Sequence, residues 1–187
     1  MTRAQGRLVV IAGPSGVGKG TIVAELRRRF PALLFSVSAT TRQPRPGETD
    51  GVDYHFVSDA RFDELIASGG LLEWADYAGT RYGTPKQPAV DAVAGGRTML
   101  LEIELNGARQ VRHTYPDAVQ VFIAPPSLKE LQRRLRDRGT NTPADIRRRL
   151  ARAKVEMAAE SEFDKVIVND EVPRAVDELV DFLGLVK

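Results

Sequence analysis

The sequence predicts an α/β protein with a parallel core sheet flanked by helices, and three observations predict it. Strand-like apolar runs alternate with amphipathic helical patterns through most of the chain. The first run, Leu8–Ile11, is unbroken, as a strand buried on both faces requires. A glycine-dense turn follows it at once and opens a helix.

That first helix is expected from about Lys19 to Arg29. Ile22, Val23, Leu26 and Phe30 form its apolar face, and Pro31 stops it. Residues 36–95 then break the rhythm, being richer in Thr, Gly, Pro, Tyr and Asp. They read as an inserted mixed α/β subdomain, with strand-like pieces at Tyr54–Val57 and Leu71–Tyr77 and a helix near Asp59–Ser68. Met99–Leu105 reads as a second core strand, with Leu101, Ile103 and Leu105 on one face and Glu102 and Glu104 on the other. Val119–Ala124 is the third, ended by Pro125-Pro126. Ser127 and Glu130 suggest a capping box for a helix whose buried stripe is Leu128, Leu131 and Leu135, closed by Gly139. Thr142-Pro143 starts another helix, carrying Ile146, Leu150, Ala153 and Met157. A fourth strand, Val166–Val168, precedes a terminal helix of Val176, Leu179, Val180 and Leu183 that ends at Gly184. The expected layout is a core of 5–35, 96–132 and 153–187, the insert 36–95, and a segment 133–152 that holds eight arginines against Asp137 and Asp145.

Composition narrows the function classes. The 187 residues are 42% hydrophobic, 28% charged and 6% aromatic, which excludes a disordered or fibrous chain. The chain has no cysteine, so disulfide frameworks, thiolate metal sites and a cysteine nucleophile are excluded, and a cytoplasmic setting is expected. His55 and His113 are too few for a histidine-rich zinc site. The net charge of +2 is too small to draw the chain to nucleic acid or membrane, and neither a signal peptide nor a membrane span is found. Arginines number 21 against 6 lysines; the bias suits phosphate recognition, and genome composition would produce it equally.

The strongest motif is Gly13-Pro14-Ser15-Gly16-Val17-Gly18-Lys19-Gly20-Thr21. Gly13, Gly18 and Lys19 have the spacing of a phosphate-binding P-loop, placed after a strand and at the start of a helix. Backbone N–H groups curl around the anion, the helix adds its positive end, and the Lys19 ammonium reaches the terminal phosphates. Gly20 stands where the general pattern has Ser or Thr, so a hydroxyl must come from Thr21 or magnesium must rely more on water. A second cluster, Ser36 to Arg45 followed by Asp53–Phe56, has two readings: solvated surface, or an anion clamp of Arg42 and Arg45 with the Tyr54 hydroxyl.

With these two clusters in place, the chain resembles the guanylate kinases, nucleoside monophosphate kinases of the P-loop fold, from Arg7 to Leu183. The resemblance rests on the P-loop together with FSVSATTRQPRPGE (Phe35–Glu48), DYHF (Asp53–Phe56), LLEWA (Leu71–Ala75), RYGTP (Arg81–Pro85), LLEIELNGA (Leu100–Ala108), FIAPPS (Phe122–Ser127), RLRDRGT (Arg134–Thr140) and KVIVND (Lys165–Asp170). It implies transfer of the γ-phosphate of ATP to GMP, and to dGMP, with Mg2+, small-molecule partners only, and a P-loop monophosphate-kinase fold with a GMP-binding insert and a helical lid at 133–152. By the resemblance, Arg42, Arg45, Tyr54 and Tyr82 match the holders of the GMP phosphate, and Glu73, Ser38 and Thr84 match the guanine contacts. A carboxylate at Glu73 accepts from guanine's adjacent N1–H and amine donors, a pair that adenine lacks. Glu102 matches a contact near the GMP base and the metal region, and Thr21 and Glu102 are the candidates for metal contact through water. Glu104 replaces the family's usual Asp. Arg138 and Arg149 match lid arginines over the ATP phosphates, and Arg134 and Asn169 match positions beside adenine. Arg133, Arg136, Arg147, Arg148 and Arg152 are assigned to a solvated helix face.

Such a reaction needs no covalent enzyme intermediate and no general base, because the acceptor phosphate is already anionic. Two rivals are weaker. A non-catalytic phosphopeptide-binding relative typically has a degraded P-loop, whereas Lys19 is intact. A nucleic-acid module at 133–152 would need interleaved aromatics, which that segment lacks.

Overall fold

The first apolar run forms β1, Leu8–Ala12, and all five of its residues are buried. The computed structural model describes residues 6–77, 79–137, 139 and 142–185. After β1 come α1 (Lys19–Arg29), β2 (Leu34–Phe35), β3 (Ala39–Thr40), β4 (His55–Phe56) and α2 (Asp59–Ala67). Then follow β5 (Leu71–Tyr77), β6 (Thr80–Pro85), α3 (Lys86–Ala94), β7 (Met99–Glu102), α4 (Leu105–Thr114) and β8 (Val119–Ala124). The chain ends with α5 (Leu128–Asp137), α6 (Pro143–Ala158), a 3-10 turn at Glu160–Glu162, β9 (Lys165–Val168) and α7 (Val172–Leu183). Five strands form one sheet in the order β2-β7-β1-β8-β9, and four form another in the order β4-β3-β6-β5. The expected parallel pairing is present where β2 meets β7 and where β8 meets β9.

The chain divides into two compact units. The first comprises the chain up to Val9, Leu34–Leu101 and Asn106–Ala118, and it contains the whole of 36–95. Its four-stranded sheet is covered by α2 through Phe62, which packs with Ala39, Leu71, Val57, Leu65 and Ile66. Burying a side chain of that size stabilises by about 1.5–3 kcal/mol. Arg81 ties α2 to β6: its guanidinium donates to Asp59 at 2.6 Å and Asp63 at 2.5 Å, and lies 4.8 Å from the Phe62 ring centre.

The second unit comprises Val10–Leu33, Glu102–Leu105 and the chain from Val119 onward. Here α5 and α6 share an apolar seam of Leu131, Leu135, Ile146 and Ala153. Helix α6 begins where Thr142-Pro143 foretells it. The Thr142 hydroxyl accepts from the Asp145 N–H at 3.1 Å, and the Asp145 carboxylate accepts from the Thr142 N–H at 3.1 Å. At α5 the Ser127 hydroxyl accepts from the Glu130 N–H at 3.1 Å, but the Glu130 carboxylate is engaged by Arg133 and Arg134.

Two expectations need correction. The strand read over Met99–Leu105 ends at Glu102, and Leu105 opens α4 instead. Leu105, Ala108 and Val111 are all buried, so Leu105 serves a helical stripe that an alternating pattern imitates for its first members. Glu102 and Glu104 therefore do not share a strand face. Helix α3 was also not expected: its buried residues are Ala89 and Ala92, too small to write an apolar stripe.

Candidate functional site

In the second unit the P-loop runs from β1 into α1. At Gly13 the chain turns with φ +148, and a Cβ built there would lie 2.3 Å from the Ile123 carbonyl oxygen. Only glycine fits between these two backbones. Gly16 and Gly18 also have positive φ, and Gly18 immediately precedes α1. The loop presents its backbone at the positive end of an eleven-residue helix. The Lys19 ammonium donates to the carbonyls of Gly13 at 2.5 Å and Pro14 at 3.3 Å, which folds its stem over the loop.

A cleft of about 520 Å³ opens over this loop, and Ser15, Lys19, Thr21, Glu102, Glu104 and Glu156 are among its lining residues. Burial pushes the Lys19 pKa below the ordinary lysine value, while Glu102, Glu156 and Glu104 act in the opposite direction. Burial also raises Glu156, opposed by Arg152 and Lys19. Arg149 reaches the Ser15 hydroxyl of the loop at 3.3 Å. Arg152 is exposed, and it also pairs with Glu104 and, at 3.1 Å, with Glu156, both of which line the cleft. Arg133 and Arg148 do lie on exposed faces, paired within their own helices. Arg138 lies outside the described residues.

A second cavity, about 270 Å³, is lined by Gly16, Gly18, Thr21, Arg134, Asn169 and Asp170. Arg134 is fixed there by Glu130 at 2.9 Å and reaches the Val17 carbonyl at 3.3 Å. Asn169 is only 2% exposed, and its amide donates to the Val17 carbonyl at 2.8 Å. In this position its amide nitrogen holds the P-loop backbone. Its Oδ1 is buried with no hydrogen-bond partner among the described residues.

The first unit holds the other set. Glu73 and Thr84 stand opposite each other across the antiparallel β5–β6 pair, and the buried Thr84 hydroxyl donates to Glu73 Oε1 at 2.6 Å. Tyr82 lies two residues from Thr84, on the same face of β6. The Tyr54 and Tyr82 ring centres are 6.0 Å apart, and the Arg42 guanidinium sits 5.2 Å from the Tyr54 ring. Ser38 precedes β3, and its carbonyl accepts from the His55 N–H at 2.9 Å. Arg45 lies exposed on the loop between β3 and β4.

Sequence reasoning missed Glu48. Its carboxylate accepts from both terminal nitrogens of Arg42, at 2.9 and 2.8 Å, and from the Arg45 N–H at 2.7 Å. These partners hold the Glu48 carboxyl at about 2, with the Arg42 bond the largest cause. Glu48 and then Tyr82 push Arg42 further above its ordinary value. The available signal was a carboxylate three residues after Arg45 in a basic, proline-containing stretch.

The structure thus gathers Ser38, Arg42, Arg45, Tyr54, Glu73, Tyr82 and Thr84 in one unit, and the P-loop, Arg134, Arg149 and Asn169 in the other. Glu102, expected with the GMP set, belongs to the second unit and lines the cleft with Lys19. Among the described residues no group of three or more His, Asp or Glu is arranged to hold a metal, and no helix is long and apolar enough to cross a membrane.

Comparison with known proteins places this arrangement. The sequence model of the guanylate kinase family matches residues 5–185. The guanylate kinase of Thermobifida fusca (strain YX) is 60% identical over 178 residues, 95% of this chain and 91% of that protein. That of Synechococcus sp. (strain CC9311) is 58% identical over 179 residues, 96% of this chain and 94% of its own length. The crystal structure of guanylate kinase from Anaplasma phagocytophilum superposes with a TM-score of 0.75 at 31% identity, covering 98% of this chain and 87% of that one.

Proposed function

The chain belongs to the guanylate kinase family, and on that premise we propose how its residues divide the work of moving the γ-phosphate of ATP onto GMP. The P-loop amides and Lys19 take the β- and γ-phosphates of ATP. Arg149 stands at the loop's edge to offset charge on the transferring group, a part also assigned to Arg138 from its sequence position. Arg134 lies along the adenine, and Asn169 acts through the Val17 carbonyl by keeping the loop in shape. The insert 36–95 is the acceptor subdomain and 133–152 the lid. In the insert, Arg42 and Arg45 with Tyr54 and Tyr82 bind the GMP phosphate, and Glu73, Thr84 and Ser38 read guanine.

The reaction breaks the bond between the γ-phosphorus and the β–γ bridging oxygen as a GMP phosphate oxygen forms its bond to the same phosphorus. Products are ADP and GDP. The acceptor oxygen is already anionic, so positioning and charge neutralisation carry the rate. The Thr21 hydroxyl and Glu102, both lining the cleft, suit Mg2+, which takes one or two protein oxygens and leaves the rest to phosphates and water. Bound there, Mg2+ would neutralise charge on the ATP phosphates. The lack of cysteine suits a reducing cytoplasm, where we place the enzyme in purine nucleotide metabolism.

The observation that carries the acceptor assignment is the 2.6 Å bond that fixes the Glu73 carboxylate on Thr84. A fixed carboxylate suits guanine's paired donors, a pair that adenine does not offer it. The test is ATP-dependent diphosphate formation across AMP, GMP, CMP, UMP and dGMP. GMP and dGMP are expected to react and the others to lag by two decades or more. Equal turnover of AMP would refute the reading of Glu73.

A further inference from the structure

Helix α4 lies along β5 through one stripe of residues, and hydrogen bonds fix the register of that contact. Gln110 Oε1 accepts from the Trp74 N–H at 3.1 Å, and Gln110 Nε2 donates to the Trp74 carbonyl at 2.9 Å. One turn later, the Thr114 hydroxyl donates to the Leu72 carbonyl at 2.6 Å. One turn earlier on the same stripe stands Gly107. It is buried, and a Cβ built on it would lie 2.8 Å from Glu73 Oε2, 3.3 Å from Glu73 Cδ and 3.4 Å from Glu73 Cγ. Thr84 holds the other carboxylate oxygen.

We propose that Gly107 is a specificity-determining positioning residue: the side chain it lacks leaves the space in which the Glu73 carboxylate stands. The proposal rests on the reading of Glu73 as the guanine acceptor. Gln110 and Thr114 hold α4 to β5, so the helix cannot retreat from an added methyl group. The carboxylate end of a flexible side chain yields first, and the backbone stays in place. Glycine at this point goes against helix propensity, since alanine is the better helix former. Alanine at 107 therefore keeps the fold and moves the group that reads the base.

The experiment is a double-mutant cycle of Gly107→Ala and Glu73→Ala, read by steady-state kinetics with GMP and AMP and by thermal melting. Gly107→Ala is expected to melt at or above the wild-type temperature. Its GMP kcat/KM should fall about tenfold to a hundredfold, the range for losing one charge-assisted hydrogen bond, chiefly through KM and with AMP little changed. In the Glu73→Ala background there is no carboxylate to displace, so the same change should matter by less than about threefold. GMP kinetics of Gly107→Ala within about threefold of wild type would overturn the proposal. So would an equal fall in both backgrounds, which marks a general structural effect. If Glu73→Ala itself leaves the GMP-to-AMP ratio unchanged, the reading of Glu73 fails and the role of Gly107 fails with it. If Glu73→Ala collapses the ratio and Gly107→Ala does not, only the role of Gly107 is refuted.

Discussion

Glu73→Gln separates the charge and acceptor pattern of the carboxylate from its shape. In the structure the Thr84 hydroxyl donates to Glu73 Oε1 at 2.6 Å, so the glutamine amide has two ways to settle. With its oxygen on Thr84, an NH2 group replaces Oε2, a donor where guanine needs an acceptor. With the amide reversed, Thr84 must accept, and one acceptor oxygen remains for two guanine donors. Either way at least one charge-assisted hydrogen bond is lost, about 1.5–3 kcal/mol. That corresponds to roughly 10–150-fold in kcat/KM for GMP. Adenine offers no adjacent donor pair, so AMP kinetics should barely move, and the GMP-to-AMP ratio should fall by the same factor. The assay is steady-state diphosphate formation at equal ATP and magnesium with both nucleotides. A ratio within about threefold of wild type would refute the assignment and shift base reading to Ser38 or Glu102.

Other predictions concern the remaining charged groups. Arg149→Ala should lower kcat at least about tenfold while leaving GMP affinity unchanged, since its charge acts on the transferring group; calorimetry with GMP checks the second half. Glu48→Gln should raise the KM for GMP by loosening Arg42, with kcat largely retained. Because the folded Glu48 carboxyl is held at about 2, below its ordinary 4.5, its contribution to stability is present above 4.5 and lost as the pH falls toward 2. Denaturant midpoints measured over that window should show a shallower acid loss in Glu48→Gln. Glu156 has the opposite sign: burial raises its pKa, so its contribution declines as the pH rises above the ordinary carboxylate value. Glu156→Gln should gain on the wild type as the pH rises from about 4.5 toward neutral, read from the same denaturation curves.

The sequence carried the elements whose local chemistry is unambiguous. β1 is an unbroken apolar run, the P-loop has fixed glycine spacing, and Thr142-Pro143 writes both halves of a helix start. Legibility failed where two periodicities coincide. Leu101, Ile103 and Leu105 alternate as a strand would, yet Leu105 opens a helix on which Ala108 and Val111 are also buried, and the strand ends before Glu104. The two-residue strands β2, β3 and β4 are too short to write a period and exist because neighbouring backbone pairs with them. The residues singled out in the sequence fall into the two units as described, but their second partners were not legible. Glu48 holding Arg42, Arg152 bridging Glu104 and Glu156, and Asn169 gripping Val17 are all contacts between residues whose pairing only the folded chain reveals. The proposed role of Gly107 belongs to the same class, because a missing side chain has no signal until its neighbour is known.

The central claim is that phosphate transfer and acceptor recognition are assigned to different residues, one set around Lys19 and the other around Arg42 and Glu73. The most direct measurement is the GMP affinity of Lys19→Met by calorimetry, set beside its turnover with ATP. The account predicts turnover lower by more than about a hundredfold, as for loss of one donor to the transferring group, with a GMP dissociation constant within about threefold of wild type. Turnover within tenfold of wild type, or GMP affinity falling in step with turnover, would contradict it.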